Sequence, residues 1–379
     1  MRFLPPLFAA LWLLCLPREA PAFAWDLPGP SVPARAWILV DHHSGAVIGE
    51  ERADEPLPPA SLTKLMTAYL IFQDLKAGRV KLGDKVTVSE RAWQMAGARM
   101  FLRAGAKVSV EALLKGMIVR SANDATLTLV EHVGGDEARF VARMNAAAAE
   151  LHLGNTRFTN STGLHQDGHT SSARDLAALA ALLIREFPQY YALFGTKEFN
   201  HNGIAQHNRN LLLWRMGEAD GLKTGQTRSA GYCLAATAQR DNMRMIAVLL
   251  GAKSERDRAD AGQRLLSFGL DHYETRLLYQ AESPAVHLRI WLGDHDTLPV
   301  GINEDLYLTL PRGGYGKLQA RLDVPETPTA PVARGQRIGT LRLDYGGQTI
   351  AEHPLIALRA VDDGNLVQRA IDHLRLWLR

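Results

Sequence analysis

A chain of 379 residues, 46% of them hydrophobic, is long enough for two domains with ample cores. Its charge is nearly balanced, 43 Lys and Arg against 40 Asp and Glu, and no basic block stands out before the C-terminus, which argues against nucleic acid as a partner. Two cysteines are too few for a disulfide scaffold or a cysteine-built metal cluster.

The first residues read as an export signal: Arg2, an apolar stretch from Leu7 to Leu16, then Ala22-Phe23-Ala24 as a small-x-small cleavage site, so that the mature chain begins at Trp25. A membrane-spanning helix needs about 20 apolar residues, and Pro17, Arg18 and Glu19 interrupt the run too early; no other segment is long enough. A lipoprotein site at Cys15 fits less well, because bulky Leu14 precedes it and the cleavage site comes later. Cys233 is then the one thiol of the mature chain, and its apolar run, Tyr232 to Ala236, predicts a small buried hydrophobe.

After a proline-rich lead, Ala36 to Val40 and Ala46 to Glu50 flank a Ser44-Gly45 turn and predict a hairpin. Next comes Pro59-Ala60-Ser61-Leu62-Thr63-Lys64-Leu65-Met66, which opens a helix running to about Lys76, where Gly78 stops it. Ser61 and Lys64, at i and i+3, share a face, and the dense apolar run behind them predicts burial. Lysine ordinarily titrates near ~10.4; desolvation and a nearby cation lower that value, so a buried Lys64 can take the proton of Ser61. Alone, S-x-x-K arises by chance, with the serine as a helix cap and the lysine solvated.

Gly83 to Ser89 reads as a short strand, and a helix opens at Val108 to Glu111 and ends near Val119. Ser121-Ala122-Asn123 follows, in the link to a helix from Asp124 to Val133, where a side chain can point into a cleft. Glu137 to Leu151 predicts an amphipathic helix, and residues 155–170 a polar surface loop. Ser172-Ala173-Arg174-Asp175 resembles a capping box before Leu176 to Ile184. Lys223-Thr224-Gly225 leads into Ala230 to Ala238 and Met243 to Leu250, two adjacent antiparallel strands, and a helix from Asp257 to Phe268 ends at Gly269. Beyond Thr275, short alternating segments separated by Gly and Pro predict an all-β domain. In the last residues, Leu366, Val367, Ala370, Ile371, Leu374, Trp377 and Leu378 share one helical face, with most polar residues opposite.

S-x-x-K, S-x-N and K-T-G in this order form the signature of serine acyltransferases that react with penicillin. With Arg99-Met100-Phe101-Leu102, Gly163-Leu164 and His169 to Leu176, they make the chain resemble the low-molecular-mass penicillin-binding proteins of the D-alanyl-D-alanine carboxypeptidase type, from Trp25 onwards. The resemblance implies an α+β, β-lactamase-like transpeptidase domain, an antiparallel sheet with helices, over residues 25–274. A small all-β sandwich (275–361) and an amphipathic membrane-anchor helix (362–379) follow the signal peptide (1–24) and that domain. It implies Ser61 as nucleophile and Lys64 as base. Ser121 would relay a proton between lysines, and Asn123 would orient Lys64 and the substrate amide. Lys223 and Thr224 would hold the terminal carboxylate, Gly225 would admit the substrate backbone, and the N–H groups of Ser61 and Gln226 would form the oxyanion hole. Gln226 stands where the family often has histidine or an aromatic residue. Arg258 matches an arginine that helps bind the carboxylate. No cofactor is implied. The implied partners are peptidoglycan stem pentapeptides, β-lactams as covalent inhibitors and a membrane surface met by residues 364–379; the implied place is the periplasm, at the inner membrane.

Three other readings share parts of this pattern. A class A β-lactamase carries the same motifs but adds an E-x-x-L-N glutamate, absent between Asn123 and Lys223, and lacks a β domain. A DD-endopeptidase uses the same site in a chain that tends to be shorter, and a non-enzymatic β-lactam-binding scaffold predicts damage to a motif. His42-His43 and the pair His165 and His169 invite a metal reading, but no H-E-x-x-H occurs and solvated loop histidines account for them. For the terminal helix, three arginines (Arg369, Arg375, Arg379) against Asp372 suit anionic headgroups; the competing account is a helix that caps the β domain through its apolar face.

Overall fold

The computed structural model describes residues 29–378, so the export signal and Arg379 lie outside the described residues. Contacts divide the chain into two units: one holds the described residues up to Ala281 together with Glu304–Tyr315, the other Glu282–Asn303 and Gly316 onward.

In the first unit, a five-stranded antiparallel sheet runs in the order Val47–Glu51, Ala36–Asp41, Met243–Ala252, Gly231–Arg240, Ala219–Thr227. The predicted hairpin turns at Gly45, whose φ of 70° suits glycine, while Asp41 Oδ1 accepts from the His43 and Ser44 N–H groups. The middle strand, Met243–Ala252, is apolar and buried at almost every position, because helices Ala173–Glu186 and Glu255–His272 both pack on it. The latter helix does not stop at Gly269 but continues to His272. Gly269 is there for packing: a Cβ would come within 2.8 Å of Met245 Sδ.

Helix Lys64–Lys76 is buried at eleven of thirteen positions and reads apolar all round, as a central helix should. Phe72 on it meets Phe187, Tyr190 and Phe194. The helix predicted to open at Val108 begins at Val110, after strand Lys107–Ser109, which pairs with Lys85–Thr87. It passes through a wider turn over Gly116–Arg120 and ends at Ser121, which takes the left-handed conformation (φ 63°). Asn123 starts the next helix, Asn123–Gly134. The predicted capping residue Ser172 accepts from the Asp175 N–H at 3.1 Å.

Residues 155–170 form a loop, as predicted, with Arg157 and residues 165–168 exposed, but part of it is not on the surface: Phe158, Ser161, Thr162 and His169 are buried. Burial is possible because side chains of distant elements satisfy its backbone. Asn145 bridges the N–H and C=O of Phe158, Asp175 accepts from the Asn155 N–H, and Glu137 accepts from the N–H and hydroxyl of Ser161.

Strand Tyr273–Tyr279 pairs with Leu306–Pro311, and both belong to the first unit, so the contacts do not divide at residue 274. The second unit is all-β up to its last helix. Its paired strands form one antiparallel sheet in the order Pro284–Arg289, Thr297–Gly301, Gln348–Ala357, Arg337–Tyr345, Leu318–Asp323. Leu298, Val300, Leu341, Leu343, Leu355 and Ala357 are buried. Helix Leu366–Trp377 follows, with Asn365 and Gln368 closing a capping box. Its apolar residues other than the half-buried Leu376 are exposed, Leu366 by 85% and Trp377 by 82%, and the one buried residue on it is Asp372. Asp372 accepts from the Leu292 N–H at 2.9 Å and from Arg289 at 3.4 Å. The helix therefore docks on its own unit through its polar face, which removes the account of an apolar cap. No described helix is long and apolar enough to cross a membrane.

Candidate active site

Pro59 leads into a short turn of 3-10 helix, Ala60–Thr63, that precedes the Lys64–Lys76 helix and carries Ser61. Ala60 has φ 48°, an unfavourable conformation for alanine, and a chain of hydrogen bonds holds it. The Thr159 N–H donates to His169 Nδ1 at 3.0 Å, which leaves the proton on Nε2. Nε2 donates to Thr63 Oγ1 at 2.7 Å, and Thr63 Oγ1 donates to the Ala60 carbonyl at 2.8 Å. Burial, then the charge of Lys64, lowers the His169 imidazole to about 4, so it is a neutral donor. It is thus not the solvated loop histidine that its polar surroundings in the sequence suggest. Gly163 lies against the same carbonyl, which a Cβ there would overlap.

Lys64 is 1% exposed. Its Nζ lies 3.1 Å from Ser61 Oγ, 2.7 Å from Asn123 Oδ1 and 2.6 Å from the Thr162 carbonyl. Asn123 cannot be turned round, because its Nδ2 donates to the Ala96 carbonyl at 2.6 Å. Two acceptor-only oxygens therefore take two N–H bonds of Lys64, and a neutral amine keeps its lone pair for the Ser61 hydroxyl. Burial, then the charge of Arg209, pushes Lys64 down to about 7. The cation that assists burial is Arg209, which no motif in the sequence marks.

Ser121 Oγ is buried without a hydrogen-bond partner, and its left-handed backbone costs roughly 1–3 kcal/mol. Lys223 is buried too, with Nζ donating to the Thr224 carbonyl at 2.8 Å. Burial first, then the charges of Lys64, Arg209 and Arg258, holds its amine well below the ordinary lysine range. An anion placed among these groups would restore its charge.

Ser61, Ser121, Asn123, Thr224, Gly225, Gln226 and Arg258 all line one cavity of about 710 Å³, with Lys64 and Lys223 behind its wall. Its other side is the outer edge of strand Ala219–Thr227, the last strand of the sheet. A Cβ on Gly225 would sit 3.0 Å from the Ser61 nitrogen, so glycine lets the strand approach Ser61. Arg258 is buried, donates to Glu255 at 2.8 Å and lies over the Tyr232 ring. The nine predicted site residues are thus brought together. Sequence reasoning missed Arg209, Thr162, and the Thr63–His169 pair. Cys233 is buried, as predicted, and its thiol is pushed up to about 11. Among the described residues, no group of His, Cys, Asp and Glu is arranged to hold a metal.

A family model described as D-alanyl-D-alanine carboxypeptidase matches residues 24–254. The chain belongs to that family. A second model, described as the C-terminal domain of penicillin-binding protein 5, matches residues 273–363. Within the carboxypeptidase family, the chain is similar to D-alanyl-D-alanine carboxypeptidase DacC of Escherichia coli (strain K12), 42% identical over 365 residues, 94% of this chain and 91% of the relative. Its fold is similar to that of penicillin-binding protein 5 from Haemophilus influenzae, with a TM-score of 0.86 and 36% identity over 89% of this chain and 100% of that one. Penicillin-binding protein D2 of Listeria monocytogenes, solved with ampicillin bound, aligns with a TM-score of 0.59 and 30% identity over 64% of this chain and 100% of that one.

The packing at Ala60 makes a sharp prediction. Gly163→Ala will lose about 3 kcal/mol or more in urea unfolding. Gly168→Ala, in the same loop at φ 76° but with open space around it, will lose about 1 kcal/mol. Equal losses would contradict the assigned contact.

Proposed function

We propose that this protein is a serine-type D-Ala-D-Ala carboxypeptidase that removes the terminal D-alanine of peptidoglycan pentapeptides. The observation that carries this reading is the Lys64 amine, lowered to about 7, with Nζ 3.1 Å from Ser61 Oγ so that its lone pair can take the hydroxyl proton.

The substrate backbone adds to the free edge of strand Ala219–Thr227, and its terminal carboxylate sits at Lys223, Thr224 and Arg258. Ser61 Oγ attacks the carbonyl of the penultimate D-alanine as Lys64 takes its proton. The negative oxygen that forms is held by the N–H groups of Ser61 and Gln226. The C–N bond then breaks, and the proton reaches the leaving D-alanine amine by way of Ser121. Water, deprotonated by Lys64, hydrolyses the ester and returns Ser61. A β-lactam enters the same cycle but leaves a long-lived ester on Ser61. The one carboxylate among the cavity-lining residues, Glu255, is paired with Arg258, which leaves no free carboxylate in the β-lactamase role of activating the deacylating water.

We further propose that the mature protein is exported and rests on the periplasmic face of the inner membrane through helix Leu366–Trp377. Its outward apolar face, flanked by Arg369 and Arg375, supports an in-plane anchor.

Two experiments test these readings. Incubated with a peptide ending in D-Ala-D-Ala, the protein will release free D-alanine and the Ser61→Ala variant will not. The rate will fall about tenfold per pH unit below about 7, where Lys64 gains its proton. D-alanine release by the variant, or a pH-independent rate, would contradict the assignment. Deletion of the residues after Asp363 will abolish co-sedimentation with anionic vesicles; a truncated protein that still sediments defeats the anchor.

A further inference from the structure

Besides Lys223 and Arg258, the cleft carries three guanidinium groups that hold no part of the substrate in the cycle above, although the charge of Arg209 acts on Lys64. Arg99, Arg120 and Arg209 line the same cavity as Ser61. Among the described residues none of them has an ion-pair or side-chain hydrogen-bond partner, whereas Arg258 in the same wall is tied to Glu255 at 2.8 Å. They flank the reacting centre closely. Arg120 directly precedes Ser121, and Arg99 lies two residues beyond Gly97, where a Cβ would sit 2.8 Å from Asn123 Nδ2. The charge of Arg120 opposes that of Arg209, and Arg209 in turn acts on Lys64. Unpaired like charges gathered in a cleft are unfavourable until an anion arrives, and guanidinium forks grip carboxylates in pairs of hydrogen bonds.

We infer that Arg99, Arg120 and Arg209 form a second carboxylate subsite, which selects stem peptides bearing an acidic side chain on the residue just before D-Ala-D-Ala. This rests on the carboxypeptidase reading and adds substrate preference to it. The terminal carboxylate is taken by Lys223, Thr224 and Arg258, and the penultimate residue is bonded to Ser61. The next residue upstream is the first whose side chain is free to meet arginines grouped around Ser121 and Asn123.

The test compares acetyl-Glu-D-Ala-D-Ala with acetyl-Gln-D-Ala-D-Ala, which differ only in that charge. The native protein will show kcat/KM about tenfold or more higher for the glutamate peptide, the size of one charge-assisted contact. In the Arg99→Gln/Arg120→Gln double variant the ratio will fall towards one, while the glutamine peptide and benzylpenicillin acylation of Ser61 keep their native rates. Equal rates for the two peptides in the native protein, or a preference that survives in the double variant, would overturn the subsite alone. Failure of the native protein to release D-alanine from either peptide would overturn the carboxypeptidase reading with it. Loss of penicillin acylation in the double variant would show that these arginines serve the reacting centre and would also overturn the subsite.

Discussion

The whole arrangement depends on one amine that has lost its water. Lys64 sits at the first position of a helix buried almost all round, so nothing but protein atoms solvates it. Burying a charge without a counter-ion is costly, and no carboxylate among the described residues is bonded to this lysine. Its three hydrogen-bonding directions are used by Asn123, Thr162 and Ser61. Each of those three groups comes from a different segment of chain. The short turn that carries Ser61, the helix that starts at Asn123 and the buried loop at residue 162 all meet at that nitrogen.

The site also stores strain in the backbone. Ala60 and Ser121, one beside Ser61 and the other in the second motif, both have positive φ. Such conformations persist where the surroundings over-determine them. At Ala60 the surroundings are identifiable: the Thr63–His169 relay pulls on its carbonyl, and Gly163 leaves that oxygen room. At Ser121 the turn ends a helix and aims a hydroxyl that has no partner of its own into the cavity wall. A buried hydroxyl left unsatisfied costs stability, and the proton relay proposed for Ser121 would use this unpartnered group.

Much of this was legible in the sequence because it rests on local pattern. The hairpin at Gly45, the apolar helix after Ser61, the two central strands and the three motifs each declare themselves within a few residues. The burial of Phe158, Ser161 and Thr162 within the loop did not, since the segment is polar and its backbone is satisfied by Asn145, Glu137 and Asp175, contributed by other elements. Arg209 was hidden for a related reason: it stands in an unpatterned turn between Asn208 and Asn210, and acts on Lys64 only through the fold. The terminal helix shows the limit of a periodicity argument. Its two faces were readable, but which one docks was decided by Asp372, whose carboxylate meets the Leu292 N–H.

The central claim is that burial leaves about half of Lys64 uncharged at neutral pH, where an ordinary lysine is almost wholly charged, and its titration can be followed directly. In protein labelled at the lysine side-chain nitrogen, nuclear magnetic resonance will show one amine, absent from a Lys64→Arg variant, with a midpoint of about 7. A Lys64 signal that titrates near the ordinary 10.5 would contradict the account.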